Sequence, residues 1–288
     1  MKSGFVTMIG RSNVGKSTLL NALIGSKVAI VTPKAQTTRN PVRGVLHHER
    51  GQIVFVDTPG MFLGKKDILS KTLNSFARQQ LEGVDAVLYV TDPARPLGEE
   101  EEEIQRILRG LNLPIIMVIN KSDLPITEKR SLEALRAADV GQKATLEISA
   151  LKHKDLNKLV DLLFQEMPEG EPFYPDMQIT DMSHTEWVAE LIREKAFFRL
   201  RQELPYSIAV TVDEMEPRDE NQTYISATIW TTHDRYKRMI IGAGGNMLKQ
   251  VGTDARKELE AVSGKRVFLE LHVQTDPKWP QRIFTATS

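Results

Sequence analysis

Short apolar runs closed by turn residues alternate with stretches of helical periodicity along the first half of the chain. Residues 5–9 (FVTMI), 85–90 (DAVLYV), 114–119 (PIIMVI) and 144–148 read as strands. They lack the strict apolar–polar alternation of a half-solvated strand and so predict burial on both faces. Between them, residues 17–24, 67–82, 97–108 and 154–166 carry apolar positions at helical spacing. Residues 43–48 and 52–56 flank Glu49, Arg50 and Gly51 and predict a hairpin. This alternation, with one antiparallel pair, predicts an α/β fold: a mostly parallel sheet with helices on both faces, and a binding site at the strand C-termini.

The pattern changes after residue 167. MPEGEPFYPDM, residues 167–177, holds three prolines and cannot continue a helix. The expected division is a first domain over 1–168, a linker over 169–177 and a second domain over 178–288. Beyond the linker, a helix (186–200), two strands (207–214 and 224–231), a short helix (236–241), a glycine cluster, a longer helix (247–262) and a last strand (267–273) give the α+β order αββααβ. A chain of 288 residues suits two domains, each burying its own core.

Composition narrows the function classes. Lys plus Arg equals Asp plus Glu at 38 each, so a surface for nucleic acid has to be local. The absence of cysteine excludes disulfides, thiolate metal sites and thiol nucleophiles, and fits a reducing compartment. The opening MKSGFVTMIG runs straight into a strand, leaving no room for a signal peptide, and no apolar run nears the roughly 20 residues of a membrane span. These features together lead to the expectation of a cytoplasmic protein.

Chemistry begins where the first strand breaks. Gly10-Arg11-Ser12-Asn13-Val14-Gly15-Lys16-Ser17 is GxxxxGKS, a phosphate-binding loop between a strand and a helix. Gly10, Asn13, Val14, Gly15, Lys16, Ser17 and Thr18 are its expected nucleotide contacts, with Lys16 on the β and γ phosphates and the Ser17 hydroxyl on Mg²⁺. The polar stretch 27–40 reads as a switch loop offering Thr37 or Thr38, of which Thr38 is the expected metal ligand. Asp57, after IVFV and before Thr58-Pro59-Gly60, is expected to hold Mg²⁺ through water, and the Gly60 N–H to sense the γ-phosphate.

Asn120-Lys121-Ser122-Asp123 follows a further strand and selects the base. A carboxylate accepts from both N1–H and the 2-amino group of guanine, which adenine cannot offer, so Asp123 points to guanine. Asn120 can satisfy N7 and join neighbouring loops, and the Lys121 stem can cover the base. Ser149, Ala150 and Leu151, followed by Lys152, bring backbone N–H groups to the guanine O6. Glu99 to Glu103 open a helix and are expected to be a solvated face favoured by the helix dipole, with no chemistry.

GRSNVGKS, the threonine pair, DTPG, NKSD and SALK resemble the five signature segments of translation-factor-related GTPases over residues 1 to about 167. Met61 stands where many relatives of that fold orient the attacking water with a glutamine, which implies slow intrinsic hydrolysis. Asn13 stands where similar GTPases hold K⁺ against the phosphates, so K⁺ joins GTP/GDP and Mg²⁺ as a candidate cofactor. Lys16, Asn13, Thr38 and Gly60 are the residues expected to act in hydrolysis.

In the second half, Ile241-Gly242-Ala243-Gly244-Gly245 is a GxxG turn between two helices, and within αββααβ it resembles a type II KH domain. From Asp234 to Lys257 six basic residues face two acidic ones, a local excess of four that suits an RNA backbone. The expected RNA contacts are Ile241, Gly242, Ala243, Gly244, Gly245, Lys249, Arg256, Lys278 and Trp279.

Together these two halves and their linker resemble the Era family of GTPases. The resemblance implies a monomeric switch that binds and hydrolyses GTP, binds 16S rRNA of the small subunit near its 3′ end, assists 30S ribosomal subunit assembly, and in some members lies peripherally on the inner face of the cell membrane. Ala243 replaces the basic residue usual in the family's GxxG, and the stretch VQTDPKWPQRIFTATS is less basic than the family's usual end. Two alternatives stand beside it: a GTP-gated RNA-binding module with negligible intrinsic hydrolysis, and a tRNA-modification GTPase, whose partner domains differ.

Overall fold

The computed structural model describes residues 1–32, 42–57, 83–200 and 204–279. The described residues form two compact units that part after Asp181.

In the first unit, strands β1 (Lys2–Ile9), β2 (Val42–His48), β3 (Gly51–Asp57), β4 (Ala86–Thr91), β5 (Ile115–Ile119) and β6 (Ala144–Glu147) form one sheet in the order β2-β3-β1-β4-β5-β6. Only β2 runs antiparallel, against β3. Every residue of β3, β4 and β5 is buried, as expected of apolar strands covered on both faces. The edge strand β6 has no fully buried residue.

Among the described residues the helices of this unit are α1 (Lys16–Ile24), α2 (Glu99–Arg109), α3 (Leu132–Arg136) and α4 (Leu156–Glu166). Ile104 and Leu108 of α2 and Leu132 and Leu135 of α3 pack on Val87, Tyr89, Ile115 and Met117 of the central strands. The short helix α3 and a preceding helical turn at Ile126–Glu128 carry no long periodicity and are not predicted from the pattern. The helix expected over 67–82 lies outside the described residues.

Residues 168–181 belong to this first unit. The segment is not helical, as its prolines dictate, yet it does not hang free. The Gln52 amide, 1% exposed on β3, donates to the Tyr174 carbonyl and accepts from the Phe173 and Tyr174 N–H groups. Farther on, the Val45 N–H donates to the Ile179 carbonyl and the Thr180 hydroxyl to the Arg43 carbonyl, so the segment lies along β2.

The second unit contains α5 (His184–Arg199), β7 (Ile208–Asp219), β8 (Gln222–Thr231), α6 (Asp234–Ile241), α7 (Asn246–Ser263) and β9 (Arg266–Thr275), the expected αββααβ. The α5 N-terminus is a capping box: the Ser183 hydroxyl accepts from the Glu186 N–H while the Glu186 carboxylate accepts from the Ser183 N–H. Strand order is β7-β8-β9, with β7 antiparallel and β9 parallel to β8. The hairpin runs longer than the expected strands because exposed residues 215–219 stay paired to β8 across two register shifts, and Pro217 is tolerated there because β7 is an edge. Ile192, Ala196 and Phe197 of α5, Ile225, Ala227 and Ile229 of β8, and Val251, Ala255 and Leu259 of α7 form its core.

Candidate functional site

The β1 strand ends at Ile9, and the chain turns through Gly10 to Gly15 before α1 starts. Gly15 is the α1 N-cap with φ 102°, and a Cβ there would lie 2.4 Å from the Asn120 Nδ2. Both facts demand glycine. Lys16 is 7% exposed, and its ammonium donates to the Gly10 and Arg11 carbonyls, each at 3.0 Å. Burial pushes its pKa below the usual lysine value, with Asp57 and Glu101 opposing that shift.

At the mouth of the loop the Ser17 hydroxyl donates to the Asp57 Oδ2 at 2.6 Å. Asp57 closes β3 and is fully buried, so a hydroxyl and a carboxylate converge at the C-terminal end of the sheet. Two hard oxygen ligands in this position suit Mg²⁺, which takes few protein ligands and completes its shell with water and phosphate. Among the described residues no group of three His, Cys, Asp or Glu side chains could hold a metal by itself. Thr38 and Gly60, expected beside these two, lie outside the described residues, as do Thr37 and Met61.

The second constellation comes to the same end of the sheet. Asn120 is 2% exposed; its Nδ2 donates to the Val14 carbonyl and its Oδ1 accepts from the Ala150 N–H, both at 3.0 Å. One amide thus ties the phosphate loop, the NKSD turn and the SALK turn. The Ser149 hydroxyl donates to the Asp123 Oδ1 at 2.5 Å and accepts from the Lys152 N–H. That hydrogen bond holds the exposed Asp123 carboxyl below the usual carboxylate range, with Lys152 and Lys129 adding to the effect. It is therefore ionised throughout the neutral range, the form that accepts two N–H donors from one base edge. Lys121, at φ 61°, places its ammonium 2.5 Å from the Asp92 carboxylate and 3.3 Å from the Asn13 carbonyl. Asn13 is exposed with φ 63°, Thr18 lies half-buried in α1, and Leu151 is exposed.

Sequence reasoning misses part of this site. Glu100 and Glu101 are not a solvated face: the Arg11 Nε donates to the Glu100 Oε2 at 2.7 Å, and Glu101 is 4% exposed. The Arg95 Nη1 donates to the Ser12 carbonyl at 2.5 Å, and Asp92 is buried against Lys121. A run of five glutamates hides which of them turns inward; the signal is the position of Glu101 three residues before Ile104, on the apolar stripe of α2.

In the second unit α6 ends at Gly242, φ 75°, and α7 begins after Gly245, φ 76°. A Cβ on Gly242 would lie 2.7 Å from the Met247 Cβ, whereas one on Gly244 or Gly245 meets nothing within 4 Å. Ala243 and Gly244 are exposed, Ile241 and Gly245 half-buried, and Lys249 and Arg256 exposed along α7. Asp254, one of the two acidic residues of this strip, is paired with Arg199 at 2.7 Å, and Asp234 accepts from the Thr275 hydroxyl. The Arg199 charge offsets Asp254, while Asp234 keeps its own. Lys278 is exposed and Trp279 is 6% exposed.

Comparison with known proteins adds the following. A family model described as a 50S ribosome-binding GTPase matches residues 5–121, and one described as a KH domain matches residues 203–279. GTPase Era of Carboxydothermus hydrogenoformans is 41% identical over 280 residues, covering 96% of this chain and 94% of that protein. GTPase Era of Heliobacterium modesticaldum is 39% identical over 284 residues, 98% of this chain and 94% of its own. Two solved structures match at TM-score 0.88 and 40% identity, each over 100% of this chain and 98% of theirs. One is a tyrosine-to-alanine variant of Aquifex aeolicus Era bound to GDP and AlF4⁻; the other is Era in complex with MgGDPNP and nucleotides 1506–1542 of 16S ribosomal RNA.

Proposed function

This chain belongs to the Era GTPase family, and from that premise we propose that it is a GTP-hydrolysing switch that binds 16S rRNA and assists 30S subunit assembly. The observation that carries the reading is the convergence of Lys16, Ser17, Asp57 and Asn120 at one end of one sheet, in the same chain as a GxxG turn.

Each group has a task. Lys16 exchanges its two loop carbonyls for oxygens of the β and γ phosphates. Ser17 and Asp57, with Thr38, hold Mg²⁺, which when bound neutralises charge that develops on the phosphates. Asp123, held ionised and oriented by Ser149, selects guanine over adenine. Asn120 keeps phosphate and base contacts at a fixed spacing, and the Lys121 stem covers the ring. Gly10, Asn13, Val14, Gly15 and Thr18 supply the cradle, Gly60 reports the γ-phosphate, and Ala150 and Leu151 lie at the guanine O6.

With Met61 after DTPG, no side chain of the usual kind orients the attacking water, so turnover without RNA is slow and depends on K⁺ at Asn13 or on a partner. The GxxG turn and Lys249, Arg256 and Lys278 follow the RNA backbone. Among the described residues no helix is long and apolar enough to cross a membrane; a peripheral contact and a monomeric state complete the proposal.

One experiment tests the whole. Labelled RNA of the 16S 3′ end is crosslinked to the full chain with GTP or with GDP, and phosphate release is followed in KCl and in NaCl. The reading expects specific crosslinks that change with the nucleotide, and release that rises with K⁺ or RNA. Absent crosslinks, or no release under any condition, would overturn it.

A further inference from the structure

We propose that Arg11, Glu101 and Tyr89 form a positioning brace: they hold the first half of the phosphate loop in the shape the nucleotide meets, and so set nucleotide affinity more than the rate of the chemical step. The proposal rests on the reading of the first unit as a guanine-nucleotide site.

A carboxylate buried at the start of a helix costs far more than its interaction with the helix dipole returns, so the burial of Glu101 needs another cause. The cause is a chain of contacts. The Tyr89 hydroxyl, on a fully buried ring in β4, donates to the Glu101 Oε1, and the Gln105 amide donates to that hydroxyl at 3.4 Å. The other oxygen, Glu101 Oε2, faces the Arg11 Nη1 at 3.9 Å. The same guanidinium donates through Nε to Glu100 and through Nη1 to the Pro96 carbonyl at 3.1 Å. Arg11 is thereby clamped to the start of α2, with its side chain only 13% exposed.

The other end of Arg11 matters more. Its carbonyl is one of the two that hold the Lys16 ammonium, and the next carbonyl, Ser12, is held by Arg95. Farther along the loop, Asn13 and Val14 are held by Lys121 and Asn120. The loop is therefore fixed from two sides: the NKSD turn holds its second half, as the nucleotide reading already requires, and the β4–α2 segment holds its first half. Burial raises the Glu101 carboxyl above its ordinary value, and its charge reaches Lys16. Ordering a loop before the ligand arrives removes that cost from binding. A bound nucleotide restores the loop shape by its own contacts, so a loosened loop loses affinity and keeps most of its turnover at saturation.

The test uses the full chain carrying Arg11→Ala, Arg11→Lys, Glu101→Gln, Tyr89→Phe, or Arg11→Ala with Glu101→Gln. Equilibrium binding of a fluorescent N-methylanthraniloyl GDP and steady-state GTP hydrolysis are measured at a temperature where thermal melts show each protein folded. Arg11→Ala is expected to weaken GDP and raise the GTP KM by about tenfold, with kcat falling less than about threefold. The double variant should lose no more than Arg11→Ala alone, because the two residues act as one unit, and Arg11→Lys should recover part of the loss. Should Arg11→Ala fail to fold, Tyr89→Phe removes a single hydroxyl and keeps the measurement open, with a smaller loss in the same direction. Folded variants that bind GDP as the parent does, a fall in kcat at unchanged affinity, or additive losses in the double variant would each overturn the brace. Failure of the unsubstituted chain to bind the analogue would instead overturn the nucleotide site, and the brace with it.

Discussion

Two glycine loops, each opening a helix, are built in opposite ways, and each is proposed above as a binding site. The loop from Gly10 to Gly15 is crowded: a Cβ on Gly10 would lie 2.2 Å from the Val90 carbonyl oxygen, and one on Gly15 would collide with Asn120. From outside, Arg95, Asn120 and Lys121 donate to its Ser12, Val14 and Asn13 carbonyls. The loop from Gly242 to Gly245 is open around its last two glycines. The difference teaches what each loop has to recognise. A nucleoside phosphate has one shape, so a rigid mould gains affinity by preorganisation. An RNA backbone presents many shapes, so an open turn with a few exposed cations beside it serves it better than a mould.

The contrast can be broken at its strongest point first. Lys16→Ala removes charge-assisted hydrogen bonds worth about 1.5–3 kcal/mol each, so nucleotide affinity should fall by roughly 100-fold or more. RNA binding should then no longer respond to GTP; isothermal titration and RNA gel shifts read both. Retained nucleotide affinity would show that the first loop is not the mould described.

A paired substitution sharpens the comparison. Gly15→Ala meets positive φ and the Asn120 side chain, whereas Gly245→Ala, at φ 76°, meets open space. The latter should cost only about 1–2 kcal/mol of left-handed strain, and the former more, since the tie from Asn120 to Val14 must also give. Thermal unfolding of both variants decides this, and equal losses would remove the distinction between crowded and open.

The smallest effect is a gain. Ala243→Lys adds a cation at the exposed tip of the second loop, so affinity for single-stranded RNA should rise a few-fold and the logarithmic salt dependence should steepen by about 0.7. An unchanged salt dependence would place the RNA elsewhere.

The sheet of the first unit and the αββααβ order of the second are legible in the sequence because buried apolar strands and glycine-bounded helices leave strong periodic signals. The nucleotide signatures are legible for a different reason: their residue types at fixed spacing satisfy one ligand. What stayed hidden depends on contacts distant in sequence. Arg95 reaches Ser12 across 83 positions, and nothing local marks it. Glu101 looks like its neighbours until the helix is built. Residues 215–219 are polar enough to read as a loop, yet pairing with β8 keeps them extended.

The Gln52 amide has a consequence for how the chain can be divided. Its three backbone partners lie at Phe173 and Tyr174, and β2 is lined farther on by Ile179 and Thr180. Proline-rich tethers are usual targets for nicking proteases, but this one presents the cleft of an enzyme with backbone already engaged up to Thr180. The peptide bonds open to attack lie in the few residues between Asp181 and the Ser183 cap of α5. A fragment ending at residue 168 would strip three hydrogen bonds from the Gln52 side chain and uncover it, on the strand that delivers Asp57. Ending at residue 181 keeps that strand intact.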